Sequence, residues 1–380
     1  MKKVAVLGAG LVGTPIAIDL FKDTSLDVKL VDNNKIKLER AKSMGIECIC
    51  SNILEDKNLE QTVEDTDFVI NALPGELGFQ SLKRAIYAGK SGIDIAFYPE
   101  DFSELKNLAI EKKVCWVVDM GVAPGMSHLL AAYSVNQLDV TNYIKIYVGG
   151  LPKNTHSYWQ YKAPFSPSDV LEEYTRPAKL VKDGKLIVEP ALSEVELLDF
   201  PVVGSLEAFN SDGLRSLVKS LNVPNMVEKT LRYPGYVDKI NVLKQSGFFS
   251  NEDIEIGGCK IKPLQLTSKL LFRQWELEKN EADFTIMQIR VGGLVDNKEL
   301  EIIYDLYDEY CTATKIHSMA RTTGYAATAA LYELIEKRFW EPGVHPPEDM
   351  AHNPKIVLSI LDRLKANGVV YTKSVLNTNV

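Results

Sequence analysis

The first thirteen residues limit what this chain can fold into more than any other stretch. Val4, Ala5, Val6 and Leu7 form a short apolar run with strand character, and residues 11–21 read as a helix. Between them Gly8, Gly10 and Gly13 supply the spacing G-x-G-x-x-G. Each glycine has its own physical task. Gly8 permits a tight turn, Gly10 lets a pyrophosphate approach the backbone, and Gly13 lets the helix pack close to the strand. The helix N-terminus then offers N–H groups and partial positive charge to phosphate. Ala9, Leu11 and Val12 belong to the same predicted cradle. Pro15 falls about where the helical backbone bonds begin, so it should cost little.

Asp32 closes a second predicted strand, residues 27–32, and stands nineteen residues beyond Gly13. A carboxylate there can hold both ribose hydroxyls, and its charge would oppose a 2′-phosphate. The predicted coenzyme is therefore NAD. The next two residues, Asn33 and Asn34, add no cation.

At 380 residues the chain is too long for one ordinary core, so two domains are expected. A net charge of −8 argues against general binding to nucleic acid or to an anionic membrane. The five cysteines are scattered, with only a C-x-C pair, and show no zinc-ligand spacing. No metal site and no disulfide framework are expected. Met1-Lys-Lys leads straight into the first strand and no apolar run approaches ~20 residues, so a cytoplasmic protein is expected.

The first third alternates strand and helix. Strands are predicted at 46–49, 67–71, 91–95 and 114–119, with helices at 34–44, 59–63, 77–88 and 102–111. This pattern implies a Rossmann-type doubly wound parallel sheet, whose ligands gather at the carboxyl ends of the strands. Coenzyme contacts are expected there from Asn52, Ile53, Ala72, Leu73, Pro74, Asp94, Met120 and Gly121.

Beyond a Gly-Pro bend at 120–125 and a helix at 126–137, strands follow without intervening helices, at 142–148, 225–233, 283–291 and 300–307. The last two read as a hairpin with a short Gly-Asp-Asn loop. The expected second domain is an α+β catalytic and dimerisation unit with a mostly antiparallel sheet. Helices are predicted near 214–221, 237–244 and 264–278 to cover that sheet, and an open sheet of this kind suggests a homodimer. The predicted division is 1–125, 126–316 and 317–380, with late helices at 317–338 and 355–367 packing back on the first domain.

Several blocks then carry a resemblance. Asp119-Met-Gly-Val-Ala-Pro-Gly-Met-Ser-His128 follows the opening glycine motif and Val69-Ile-Asn-Ala-Leu-Pro74. Tyr147-Val-Gly-Gly-Leu-Pro152 and Met319-Ala-Arg-Thr-Thr323 come later in the same order. With these the chain resembles the saccharopine dehydrogenase-like superfamily nearly end to end. Leu192–Glu196, Leu206–Phe209, Lys229–Tyr233 and the Pro346-Pro-Glu348 tail resemble the lysine 6-dehydrogenase branch. That branch implies NAD-dependent oxidation of the lysine side-chain amine. Hydride would leave the ε-carbon, and water would release ammonia and 2-aminoadipate semialdehyde. Two features depart from the branch: His128 is shared more with saccharopine reductases, and Arg215 stands where the lysine enzymes tend to be small and uncharged.

Amine oxidation needs the neutral amine, because an ammonium has no lone pair to expel a hydride. With a reference pKa of about 10.4, less than about one part in a thousand of the lysine side chain is neutral at pH 7. A dry pocket or a base must raise that fraction. Asp119, at a strand end, and His128, one helical turn past Gly125, are the candidates to take the proton. Arg215 and Arg232 are candidates to clamp a substrate carboxylate, Glu207 to receive an α-amine, and Tyr161 to line the substrate. Each also has a plain structural reading: a bend cap for Asp119, a buried helix histidine for His128, surface pairs for the arginines, a packing lid for Tyr161. The functions left open are lysine deamination, a saccharopine- or carboxynorspermidine-type reductase joining an amine to a carbonyl, and an NAD-sensing protein without turnover.

Overall fold

The computed structural model describes residues 1–377 apart from 56, 166 and 279. The chain forms two compact units. One comprises Met1–Asn136 with Ala320–Val370, and the other Gln137–Met319 with the chain from Tyr371 onward. The expected boundary at 125 thus moves to Asn136, because the helix Met126–Val135 is buried within the first unit and Asn136 Nδ2 donates to Ala351 O at 3.2 Å.

The first unit holds a seven-stranded parallel sheet. Its strands are β1 (Lys2–Leu7), β2 (Leu26–Asp32), β3 (Glu47–Cys50), β4 (Phe68–Asn71), β5 (Ser91–Asp94) and β6 (Cys115–Val117). They lie in the order β3-β2-β1-β4-β5-β6, and Gly343–His345 adds a seventh strand beside β6. The chain therefore winds outward from β1 in both directions, which makes a crevice at the carboxyl ends of β1 and β4. Val4 to Leu7 are all fully buried, as expected of strands covered on both faces. Helix α1 (Gly13–Phe21) buries most of its length, and Pro15 lies in its first turn, where its missing N–H has no helical partner to lose. Asn34, expected inside the next helix, instead caps Lys35–Ser43 by accepting from Ile36 N.

The second unit is a mixed sheet of nine strands. Its path runs Glu196–Phe200, Gly204–Asn210, Met226–Arg232, Val140–Pro152, Asp283–Val295, Lys298–Glu309 and Tyr371–Asn377. Ala178–Lys182 and Lys185–Glu189 form a hairpin attached to Met226–Arg232. Pairing is antiparallel except between Met226–Arg232 and Val140–Pro152, which run parallel. The helices Pro167–Thr175, Tyr236–Gln245 and Pro263–Trp275 share one aromatic-rich core with this sheet.

The long hairpin turns at Asp296–Asn297, both with positive φ, as a tight hairpin demands. Gly292 and Gly293 lie not in that loop but at a register shift against Val140–Pro152. Tyr371–Asn377 was expected to pack back with the late helices, yet it pairs with Lys298–Glu309 and belongs to the second unit. Among the described residues no helix is long and apolar enough to cross a membrane.

Candidate active site

The glycine turn has the geometry its spacing implies. Gly8 adopts φ +100°, and its N–H donates to Val31 O at 2.7 Å. A Cβ on Gly13 would stand 1.9 Å from Gly8 O, so strand and helix touch backbone to backbone. A Cβ on Gly10, by contrast, would meet nothing within 4 Å. The middle glycine faces open space, and that is where a pyrophosphate can reach the backbone. Leu11 is exposed, and Val12 occupies the helix cap position with no side-chain cap bond.

Asp32 is half-buried, and both of its oxygens are held. Oδ2 accepts from Ala9 N at 2.7 Å and Oδ1 from Asn34 N at 2.8 Å. These bonds tie the end of β2 to the glycine turn and fix a carboxylate beside it. The end of β4 closes the other side: Ala72 N donates to Leu7 O at 2.9 Å, and Ala72 O lies 2.6 Å from where a Gly8 Cβ would be. Leu73 contacts the same point, and Pro74 leads into the helix Gly75–Tyr87. Asn52 follows β3, exposed, while Ile53 is buried and its carbonyl accepts from Arg84 Nη1 at 3.1 Å. The residues from Gly8 to Gly13, Asp32 and Ala72 to Pro74 therefore form one cradle.

Asp94 is fully buried, accepts from Asn71 Nδ2 at 2.8 Å and Ala96 N at 2.7 Å, and its carbonyl receives Met120 N at 3.0 Å. Ser81 adds a bond to Asn71 Oδ1, so these groups form an internal strand-end network. Met120 and Gly121 are buried as well, and the bend is tight: a Cβ on Gly125 would sit 2.0 Å from Gly121 O. Asp119 is 2% exposed and adopts φ +52°, a conformation uncommon outside glycine. His128 has no exposure at all, and its Nδ1 lies 3.6 Å from Glu348 Oε2, itself buried. Glu348 went unassigned in the sequence, since nothing local connects it to His128.

In the second unit Tyr161 and Arg232 come together. The Arg232 guanidinium lies 4.5 Å from the Tyr161 ring centre and donates to Glu173 Oε2 at 2.6 Å. Tyr174 and Tyr236 complete an aromatic wall, their hydroxyls 3.0 Å apart. Burial pushes the Tyr161 hydroxyl well above its ordinary range, so it stays protonated. The surface pair offered as the plain reading of Arg232 is thus a deeply buried one.

Glu207 is paired in register with Arg232, but its carboxylate is taken: Oε2 accepts from Gly235 N at 2.9 Å and Oε1 from Val237 N at 2.5 Å. It caps the helix Tyr236–Gln245, where a negative charge is favoured. Arg215 is half-buried with φ +43° and contributes positive potential at the buried Asp212. Glu173, Tyr174, Tyr236 and Trp275 were missed in the sequence. The signal available was a density of aromatics in the middle third, which by itself reads as core.

Two family descriptions match the chain. The "Saccharopine dehydrogenase NADP binding domain" covers residues 4–117 and the "Saccharopine dehydrogenase C-terminal domain" residues 121–369. Among curated relatives, the alpha-aminoadipic semialdehyde synthase of Bos taurus is 22% identical over 98% of this chain, and the chain spans 47% of that protein's length. A saccharopine dehydrogenase [NADP(+), L-glutamate-forming] of Pyricularia oryzae is 28% identical over 66% of the chain and 59% of the relative. The carboxyaminopropylagmatine dehydrogenase of a Synechocystis strain is 24% identical over 93% of the chain and 94% of the relative. An apo saccharopine dehydrogenase (L-Glu forming) from Saccharomyces cerevisiae shares the fold, with a TM-score of 0.82 at 20% identity over 99% of this chain and 100% of that one. Matched over both units, this chain belongs to the saccharopine dehydrogenase family, and the unit that carries the glycine cradle and the anchored Asp32 is its NAD(P)-binding Rossmann domain.

Proposed function

We propose that this protein oxidises or forms the C–N bond between an amino-acid amine and a carbonyl carbon, in the manner of the saccharopine dehydrogenases. The redox half rests on the glycine turn, open at Gly10 and closed by the Asp32 carboxylate. The substrate half is supported by the names of the relatives, one of which aligns over nearly the whole of both chains. In the oxidising direction the amine lone pair expels hydride from the adjoining carbon. Water then adds to the resulting C=N bond and splits it to an amine and a carbonyl. The bound coenzyme supplies the hydride acceptor. Within the chain, Asp119 and His128 are assigned the protons lost from amine and water, Arg232 a substrate carboxylate, and Tyr161 the wall beside it.

Lysine deamination is the second reading, and Asp32 favours it. Reductases that join amines to carbonyls usually take NADP, whereas an anchored carboxylate opposes a 2′-phosphate. Products separate the two. The protein is incubated with saccharopine or lysine and with either coenzyme, and reduced nicotinamide, ammonia and glutamate are followed together. Glutamate without ammonia from saccharopine supports the main reading, ammonia from lysine alone supports the second, and no reduction with any substrate sinks both.

Asp32 also yields a coenzyme prediction. The wild type is expected to prefer NAD, and Asp32→Ala to move the NADP-to-NAD ratio of kcat/KM towards NADP by at least about tenfold. NAD binding itself should weaken about tenfold, because the variant loses a charged acceptor for Ala9 N. An unchanged ratio in steady-state kinetics would remove Asp32 from coenzyme selection.

The requirement for neutral amine predicts a pH profile. A free ammonium loses its proton near pH 10, so the neutral fraction, and kcat/KM for amine oxidation, should climb about tenfold per pH unit from neutrality. A flat profile between about pH 6 and 10 is incompatible with a free amine as the reacting form.

A further inference from the structure

The Arg232 site holds more donors than its partners satisfy. The guanidinium is 2% exposed, and one carboxylate oxygen, Glu173 Oε2, reaches its Nη2. Nη1 goes to Leu231 O at 2.9 Å, while the Tyr161 and Tyr174 hydroxyls stand at 3.4 and 3.3 Å from Nη2. Nε is buried and has no acceptor among the described residues. The same is true of Nε1 of Trp275, whose ring packs on Tyr161 at 5.3 Å between centres. A guanidinium normally meets a carboxylate with two parallel bonds, and here the contact is single. Buried donors without acceptors cost free energy, so the site is built to receive further acceptor oxygens.

Glu173 differs from the rest of the group in one respect. Its side chain is 19% exposed, against 2% for Arg232. It closes the solvent side of an otherwise interior cation. Burial raises the pKa of Glu173, and only the neighbouring Arg232 opposes that rise.

The geometry points to Glu173 as a resident counter-ion that a carboxylate ligand replaces on Arg232, so that Glu173 sets the affinity of this unit for carboxylates. One negative charge leaves the guanidinium as another arrives, and the buried cation is never uncompensated. The incoming group can also use Nε, making the bidentate contact that Glu173 does not make. Tyr161, Tyr174 and Tyr236 stay as the wall that excludes water from that contact. This deepens the assignment of Arg232 to a substrate carboxylate and rests on it.

Binding alone tests it. Calorimetric titration with glutarate and with its uncharged diamide needs no turnover, so inactivity on saccharopine and lysine would leave the result readable. Glu173→Gln is expected to tighten glutarate by about tenfold and leave the diamide unchanged, since the competing charge is gone. Arg232→Lys, which keeps charge without the planar fork, should weaken glutarate about tenfold in the same titration. If Glu173→Gln folds poorly, Glu173→Asp keeps the charge on a shorter arm and should give a smaller gain of about threefold. Unchanged or weaker glutarate binding in a folded Glu173 variant would make the pair a structural tie and overturn the proposal. So would equal binding of glutarate and the diamide to the wild type.

Discussion

Gly13→Ala is expected to abolish coenzyme binding and to destabilise the first unit, whereas Gly10→Ala should abolish binding and leave stability nearly intact. The contrast follows from what each new methyl group would meet. On Gly13 it would lie 1.9 Å from Gly8 O and 3.3 Å from the Ala72 side chain, both parts of the packed turn. Backbone cannot be pushed aside cheaply, so β1 and α1 must separate, at a cost of about 3 kcal/mol. That separation also carries the helix N-terminus away from its phosphate position, and affinity should fall by at least about a hundredfold. On Gly10 the methyl group enters open space, so folding should change by less than about 1 kcal/mol while the approach of a pyrophosphate is blocked. Thermal unfolding and fluorescence titration with NADH measure the two effects separately. A Gly10→Ala protein that binds NADH like the wild type would show that the coenzyme does not use this turn.

The second large effect is expected at Arg232. Arg232→Met removes the guanidinium and leaves Glu173 facing an aromatic wall, with its carboxylate deprived of a charged partner. Breaking a buried pair from one side typically costs 3–5 kcal/mol; because Glu173 retains some exposure, the loss here should be about 3 kcal/mol. Adding Glu173→Gln to that variant should restore part of the loss, since the stranded charge is then gone. Chemical denaturation of the wild type, both single variants and the double variant gives the coupling. If the double variant is as unstable as the sum of the singles, the two side chains are not energetically paired. Arg232→Met should in addition lose glutarate binding, a readout that a purely structural role does not require.

These expectations differ in how far they could be drawn from the chain before folding. Gly8, Gly10, Gly13 and Asp32 were legible because their chemistry is local: the turn needs its glycines, and β2 ends beside β1 in any such sheet. The hairpin from Asp283 to Glu309 was legible for the same reason, although the glycines placed in its loop mark a register shift instead. Asp94 and Glu207 show the limit. Carboxylates at a strand end and on a sheet face are candidates for ligand contacts by position, and the fold gives one Asn71 and Ala96 as donors and the other a helix start. Only the folded chain shows which groups their oxygens accept from.

By itself the sequence determined the Rossmann unit, its glycine turn and the family, because strand, turn and helix periodicities act over a few residues and the acid closing β2 comes a fixed distance later. The tertiary structure alone decided which side chains meet at Arg232. Glu173 and Tyr161 lie 59 and 71 residues away along the chain, and His128 finds Glu348 from a still more distant segment. Such pairs form because a buried charge must find a counter-charge wherever packing offers one, and that partner is chosen by the core as a whole, not by any local pattern.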